Sequence, residues 1–308
     1  MLSYRHAFHA GNHADALKHI TLVQLARYLA QKAKPFWYID THAGAGRYAL
    51  DSGYALRKME HANGIGRLWH RADLPPIVAD YVSLVRNANP GGQLRIYPGA
   101  ALFALSVLRD VDRLRLFELH GNEVRLLRGN LKTAGRRAII EASDGFSGLT
   151  ALLPPPPRRA LVLIDPPYEE KQDYERVVQT MKKALARFPG GVYAIWYPWL
   201  ARLDAQELPS RLKRLAVGNW LHAGLRIGAA PKDGFGLYGS GVFIFNPPWT
   251  LYGVLSETLP WLAGVLAAGP DASFTLESGT PESLPPVSPG TGISRKTWKH
   301  KNIPESLR

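Results

Sequence analysis

Residues 161–170 read Leu-Val-Leu-Ile-Asp-Pro-Pro-Tyr-Glu-Glu, an aliphatic run that ends on an acid, two prolines and an aromatic ring. Each residue type suits one chemical task. Ionised aspartate only accepts hydrogen bonds, so Asp165 can draw on an N–H group and take its proton. Proline has no amide hydrogen and a fixed φ, which leaves the Pro166 carbonyl free to accept from the same donor. Proline also biases the residue before it toward extended backbone, holding Asp165 at a strand end. Tyr168 offers a flat ring on which a base can stack, worth about 1–3 kcal/mol in comparable contacts. The set suits activation of an exocyclic amine, whose lone pair is delocalised into its ring until its N–H groups find acceptors. A near-copy, Asn246-Pro247-Pro248-Trp249, follows a second apolar run.

A second constellation lies at residues 38–48, Tyr-Ile-Asp-Thr-His-Ala-Gly-Ala-Gly-Arg-Tyr. It reads as a strand entering a glycine-rich turn, with the acid Asp40 at the strand end. Gly44 and Gly46 lack a Cβ, so a ligand can approach the backbone and positive φ costs little. The loop resembles the D/E-x-G-x-G-x-G turn of S-adenosylmethionine-dependent methyltransferases, with His42 in place of the first glycine. Glu118 ends a later strand, where an acid in nucleotide-binding α/β folds accepts both ribose hydroxyls. It stands much further from Gly46 than the usual ~20 residues, so the role requires an insertion between the two. Asp144 and Gly145 follow a third strand, where the adenine edge of such a cofactor would lie.

These groups need a scaffold that brings strand ends together. Short apolar runs alternate with helical-period segments, which predicts a parallel sheet flanked by helices. Candidate strands are Phe36–Asp40, Leu114–Leu119, Ala138–Ala142, Leu161–Ile164, Gly191–Trp196, Leu221–Ile227 and Ser240–Phe245. Seven strands fit a doubly wound, Rossmann-like α/β fold. Ligands in such sheets bind outside the carboxyl ends of the parallel strands. Asp165 follows a strand expected beside the one carrying the glycine turn. Asn246 follows the last strand, which runs antiparallel in the methyltransferase version of this sheet. The first Pro-Pro motif is therefore the expected catalytic one, and the second a strand terminator.

The spacing predicts a domain built from residues 1–46 and 93–277, a helical insertion at 47–92, and a proline-rich basic tail at 278–308 expected to be disordered. Asn12 can cap a helix whose apolar face includes Leu22, Leu25, Ala26 and Leu29. That helix can present Lys18 to the carboxylate of the cofactor's methionine moiety. The first nineteen residues hold four of ten histidines, but their spacing fits no usual metal site, and no metal is expected. Tyr4 and His6 would instead reach the base pocket.

Lys and Arg exceed Asp and Glu by 38 to 25 over 308 residues, a formal charge of +13. That surplus favours a polyanionic partner over a membrane surface. Cysteine is absent, which excludes thiol catalysis and disulfides. The N-terminus lacks the apolar core of a secretory signal, so a cytoplasmic protein is expected.

In order, the N-terminal block from Met1 to His19, Asp40-Thr-His-Ala-Gly-Ala-Gly-Arg-Tyr48, Glu118-Leu-His, Asp144-Gly145, Leu163-Ile-Asp-Pro-Pro-Tyr-Glu169 and Asn246-Pro-Pro-Trp resemble the bacterial RlmJ family over about residues 1–275. Its members are 23S ribosomal RNA adenine N6-methyltransferases acting at adenine 2030. The resemblance implies a Rossmann-like class I methyltransferase fold and S-adenosylmethionine as cofactor, with S-adenosylhomocysteine as product. It implies Asp165 as proton acceptor, with Pro166 and Tyr168 beside it. Implied cofactor contacts are Lys18, His19, His42, Glu118, Asp144, Gly145 and Asp165, which join Gly44 and Gly46. Tyr4 matches the RNA-interacting position. Ala100 departs from the family's serine after Tyr-Pro-Gly, so a backbone contact would survive there and a hydroxyl contact would not. The expected partner is 23S RNA, naked or in an assembly precursor, met by a monomer. DNA adenine methylation, or RNA binding without turnover, are the rival readings.

Overall fold

The computed structural model describes residues 6–231 and 236–281. Ten strands form among them: β1 (Trp37–Asp40), β2 (Arg47–Ala49), β3 (Ile96–Pro98), β4 (Arg113–Phe117), β5 (Ala138–Glu141), β6 (Ala160–Ile164), β7 (Val192–Trp199), β8 (Trp220–Arg226), β9 (Gly239–Phe245) and β10 (Ser273–Gly279). Eight make one sheet in the order β10-β8-β9-β7-β6-β1-β4-β5, while β2 and β3 pair in a separate ribbon. Pairings from β5 through β4, β1 and β6 to β7 are parallel, and β9 runs antiparallel to both β7 and β8. This is the α/β methyltransferase-like architecture the sequence predicts. All five residues of β6 are buried, as expected of a central strand covered on both faces.

The sheet has eight strands where the sequence predicts seven. The eighth, β10, pairs antiparallel with β8 at the sheet edge. Its residues, Ser-Phe-Thr-Leu-Glu-Ser-Gly, are only partly buried or exposed. An edge strand with one wet face carries little apolar signal, which is why it does not read as a strand, and β10 runs to Gly279, two residues into the expected tail. Beyond residue 281 the expected tail lies outside the described residues.

Ten α-helices form among the described residues: α1 (His13–Ala30), α2 (Gly53–Lys58), α3 (Ile65–Trp69), α4 (Pro76–Asn87), α5 (Ala100–Val107), α6 (Gly121–Asn130), α7 (Gly145–Leu152), α8 (Lys171–Arg187), α9 (Leu203–Lys213) and α10 (Leu251–Val265). One face of the sheet packs under α1, α4, α5 and α10 through Leu17, Ile20, Tyr81, Phe103 and Leu255. The other packs under α7, α8 and α9 through Leu149, Val177, Met181 and Leu208. Between β1 and β4 the chain forms β2, α2, α3, α4, β3 and α5, and Ile65, Leu68 and Val78 join the same core cluster as α1.

Helix α1 carries the most consequence for chemistry. Every residue from His13 to Val23 is buried, including Asp15, Lys18 and His19. Buried ionisable groups are costly unless paired, so these three must find partners inside the protein. The helix begins as predicted: Asn12 Oδ1 accepts the amides of Ala14 and Asp15.

Candidate active site

A cleft opens at the carboxyl ends of β1, β4, β5 and β6. It encloses about 1060 Å³, part of it open to solvent, and its walls include Lys18, His19, His42, Gly44, Ala100, Glu118, Asp144, Gly145, Asp165 and Pro166. These sit up to 148 positions apart in the chain. The sheet topology gathers them, because the loops after β1, β4, β5 and β6 share one rim.

The turn after β1 is clamped from both sides. Thr41 N donates to the Leu163 carbonyl on β6, and Ala43 N to Phe117 on β4. Gly44 has φ +60°, and a Cβ there would collide with the Tyr48 hydroxyl. Gly145 opens α7 so close to the turn that a Cβ would overlap the Thr41 backbone. The glycine at 44 thus permits the turn, and the one at 145 lets a helix N-terminus meet it. Gly46 has a different job. It is absent from the cleft walls and its carbonyl accepts the amide of Gly99, leading the chain toward the N-terminus of α5 and Ala100.

Glu118 is oriented by two backbone amides: Gly44 N lies 2.9 Å from Oε2 and His120 N 2.8 Å from Oε1. Each oxygen keeps a second acceptor site, so the carboxylate can still receive two hydroxyls. Asp144 caps α7 through Ser147 N and Oγ and pairs with Arg176 at 2.8 Å. Burial opposes its charge, but Ser147 and Arg176 hold its carboxyl below the usual range. His42 turns Nδ1 to Thr41 Oγ1 at 2.8 Å, and burial lowers its pKa to about 3. The imidazole in this wall is therefore neutral at physiological pH.

Asp165 follows β6 and accepts from Lys18 Nζ at 2.7 Å. The same ammonium lies 2.8 Å from Asp15 Oδ1. Asp15 Oδ2 in turn sits 2.9 Å from His6 Nε2 and accepts the Gly11 amide at 2.9 Å. Burial disfavours the Lys18 charge, yet Asp15 and Asp165 outweigh it and raise the ammonium pKa well above its ordinary value. Lys18 was expected to face the methionine carboxylate. It lines the cleft, but from within a carboxylate–ammonium–carboxylate chain. His19 turns to Tyr97, Nδ1 to hydroxyl 2.7 Å.

Tyr168 departs from expectation. Its ring is 2% exposed, packs 4.7 Å from Tyr174, and donates its hydroxyl to the Trp196 carbonyl at 2.7 Å. Its φ of +53° turns the side chain into the core beside α8 instead of into the cleft. In this arrangement the ring braces the loop that carries Asp165 and offers no stacking face. Asn246, in the second Pro-Pro motif, ends β9 on the opposite rim, where Nδ2 donates to the carbonyls of Pro189 and Gly191 before β7. His6 lines the cleft, and Tyr4 lies outside the described residues.

Several wall residues escape sequence reading: Tyr48, His120, Glu123, Asp173 and Arg176. His120 and Glu123 could have been found, since they begin the helix directly after the Glu118 strand end. Arg176 could not, because only the fold sets α8 beside Asp144.

The arrangement offers acceptors for two hydroxyls, acceptors for amine hydrogens at two separate points, a neutral imidazole and a helix N-terminus. That donor and acceptor set fits an adenosyl cofactor lying along the glycine turn. A family model described as "Ribosomal RNA large subunit methyltransferase D, RlmJ" matches residues 33–277. A protein of Escherichia coli strain K12 named ribosomal RNA large subunit methyltransferase J is 43% identical over 282 residues, 92% of this chain and 100% of its own. Its Haemophilus influenzae namesake is 43% identical over 283 residues, with the same coverage. A crystal structure of protein LPL1258 from Legionella pneumophila superposes with a TM-score of 0.81 at 34% identity, covering 88% of this chain and 98% of that one.

Proposed function

The chain belongs to the RlmJ family of ribosomal RNA large subunit methyltransferases, and on that premise we propose that it methylates the N6 amine of an adenine in 23S ribosomal RNA, adenine 2030, using S-adenosylmethionine. When bound, that cofactor supplies an electrophilic methyl on a sulfonium. The chain's residues do the rest. Glu118 accepts the ribose hydroxyls, and Asp144 with Gly145 receives the adenine edge. Lys18, His19 and the backbone at Ala100 meet the methionine moiety, a backbone contact that needs no side-chain hydroxyl. His42 stays neutral and adds no cation beside the sulfonium.

Asp165 and the Pro166 carbonyl accept the N6 hydrogens of the target base. This would localise the lone pair on nitrogen toward the methyl group that the bound cofactor would supply. Asp165 then receives the proton that N6 sheds. Tyr168 holds this loop in place from beneath, and His6 with Tyr4 borders the base's side of the cleft. The substrate is 23S RNA, free or in an assembly precursor, met by a cytoplasmic monomer.

One observation carries the reading: the Asp165 carboxylate shares a single cleft with Gly44, Glu118 and Asp144. Incubation with methyl-labelled cofactor and either 23S RNA or duplex DNA, then nucleoside analysis, tests it. The expected product is labelled N6-methyladenosine from RNA alone. Labelled DNA with blank RNA would replace the substrate, and no transfer to either would leave an RNA-binding protein.

A further inference from the structure

The cleft is a poor attractor for a polyanion. Its walls bring together Glu118, Glu123, Asp144, Asp165 and Asp173 against Lys18 and Arg176. Both cations are already paired with carboxylates inside it. The +13 surplus of the chain is therefore carried elsewhere.

A large share of it lies on the opposite rim of the sheet. Register sets the row: Trp37 pairs with both Arg113 and Ala160, Leu114 with Ala138, and Leu161 with Val192. The segments entering β1, β4, β5, β6 and β7 consequently line one edge. Residues 31–36, 108–112, 131–137, 153–159 and 187–191 hold nine Lys and Arg against two Asp. Lys32, Lys34, Arg136, Arg158 and Arg187 are exposed. Half-buried arginines tie the segments together: Arg109 donates to the Lys32 carbonyl at 2.7 Å, Arg159 to the Lys34 and Leu29 carbonyls, and Arg137 pairs with Asp110 at 3.4 Å.

Part of this pattern is ordinary. Cations favour helix C-termini, and guanidinium groups cap loose carbonyls there. Capping a carbonyl uses N–H donors but cancels no charge. With two carboxylates for nine cations, the rim keeps a strong positive field fixed on rigid strand entries.

We propose that this rim is a second docking surface for RNA, holding the phosphate backbone of a substrate segment remote from the target adenine. The proposal rests on RNA being the substrate. A five-residue strand spans about 17 Å, so a phosphate on this rim lies well beyond the reach of a single nucleotide placed at Asp165. The cleft supplies the chemistry, and the far edge supplies the attraction.

The test uses the full chain in three forms: wild type, a rim triple variant Lys34→Gln, Arg136→Gln, Arg158→Gln, and a control triple Arg57→Gln, Arg95→Gln, Arg125→Gln with the same charge change at exposed sites outside the strand-entry segments. Each is assayed for binding and methylation with a long 23S RNA fragment and with a short stem-loop cut from it around the methylated adenine. The rim variant should bind the long fragment at least about fivefold more weakly, with a salt slope flatter by about 2–3, near 0.7–0.9 per lost phosphate contact. Its turnover on the stem-loop should stay within twofold of wild type, and the control should match wild type on both RNAs. Unchanged affinity and slope for the rim variant, or an equal loss in the control, would overturn the docking surface while leaving methylation intact. Wild-type protein that methylates neither RNA would overturn the proposed function, and the rim proposal with it.

Discussion

At the scale of single residues, the chain from Asp165 to Lys18, Asp15 and His6 decides how the site behaves. Asp165 could be singled out from its neighbours in sequence because acid, two prolines and strand end all fall within five positions. Its pairing with Lys18 could not, since 147 positions separate them and only the fold brings α1 over the end of β6. Tyr168 was legible as an aromatic and illegible in direction, because a positive φ at a non-glycine residue leaves no trace in sequence. Two substitutions separate their roles. Asp165→Asn keeps the volume but cannot take a proton, so kcat should fall about 10²–10⁴-fold with cofactor affinity changed only a few-fold; unaltered turnover would remove Asp165 from the chemistry. Tyr168→Phe keeps the ring and leaves the Trp196 carbonyl without its donor. It should lower stability by about 1–2 kcal/mol in urea denaturation and leave turnover within a few-fold.

At the scale of elements, the strands that carry the site were the most legible part of the chain. β1, β4, β5 and β6 each end beside the residues that sequence reading selects: β1 and β6 are buried apolar runs with a polar stop, β4 alternates Arg113 and Arg115 with buried Leu114 and Leu116, and β5 keeps an Ala-Ile-Ile run although it is an edge strand. β10, Ser-Phe-Thr-Leu-Glu-Ser-Gly, was missed because no apolar run marks it. The end of β1 also stores a pH dependence. Asp40 is fully buried, accepts from the Tyr38 hydroxyl at 2.7 Å, and burial pushes its carboxyl up to about 7. An unfolded aspartate titrates near 3.9, so between these values the folded state holds a proton that the unfolded chain has lost. Folding stability from this group is therefore greatest in acid and declines as pH rises from about 4 to 7. Asp40→Asn should flatten that decline in urea midpoints measured at pH 5 and pH 8. An identical decline in both proteins would place the proton elsewhere.

At the scale of the whole molecule, the two rims of the sheet differ in charge. Carboxyl ends of the strands collect acceptors for hydroxyls and amines, and amino ends collect cations at helix C-termini. The sequence states the net charge but not this polarity, which exists only once the strands are in register. The chemistry turns on what fills the acidic rim. A crystal structure with S-adenosylhomocysteine and adenosine measures it most directly. The ribose hydroxyls are expected on Glu118, the adenine edge at Asp144, and the adenosine N6 within hydrogen-bond distance of an Asp165 oxygen, facing the sulfur. Ligand bound away from the 42–44 turn, or an Asp165 carboxylate turned from the adenosine amine, would contradict it.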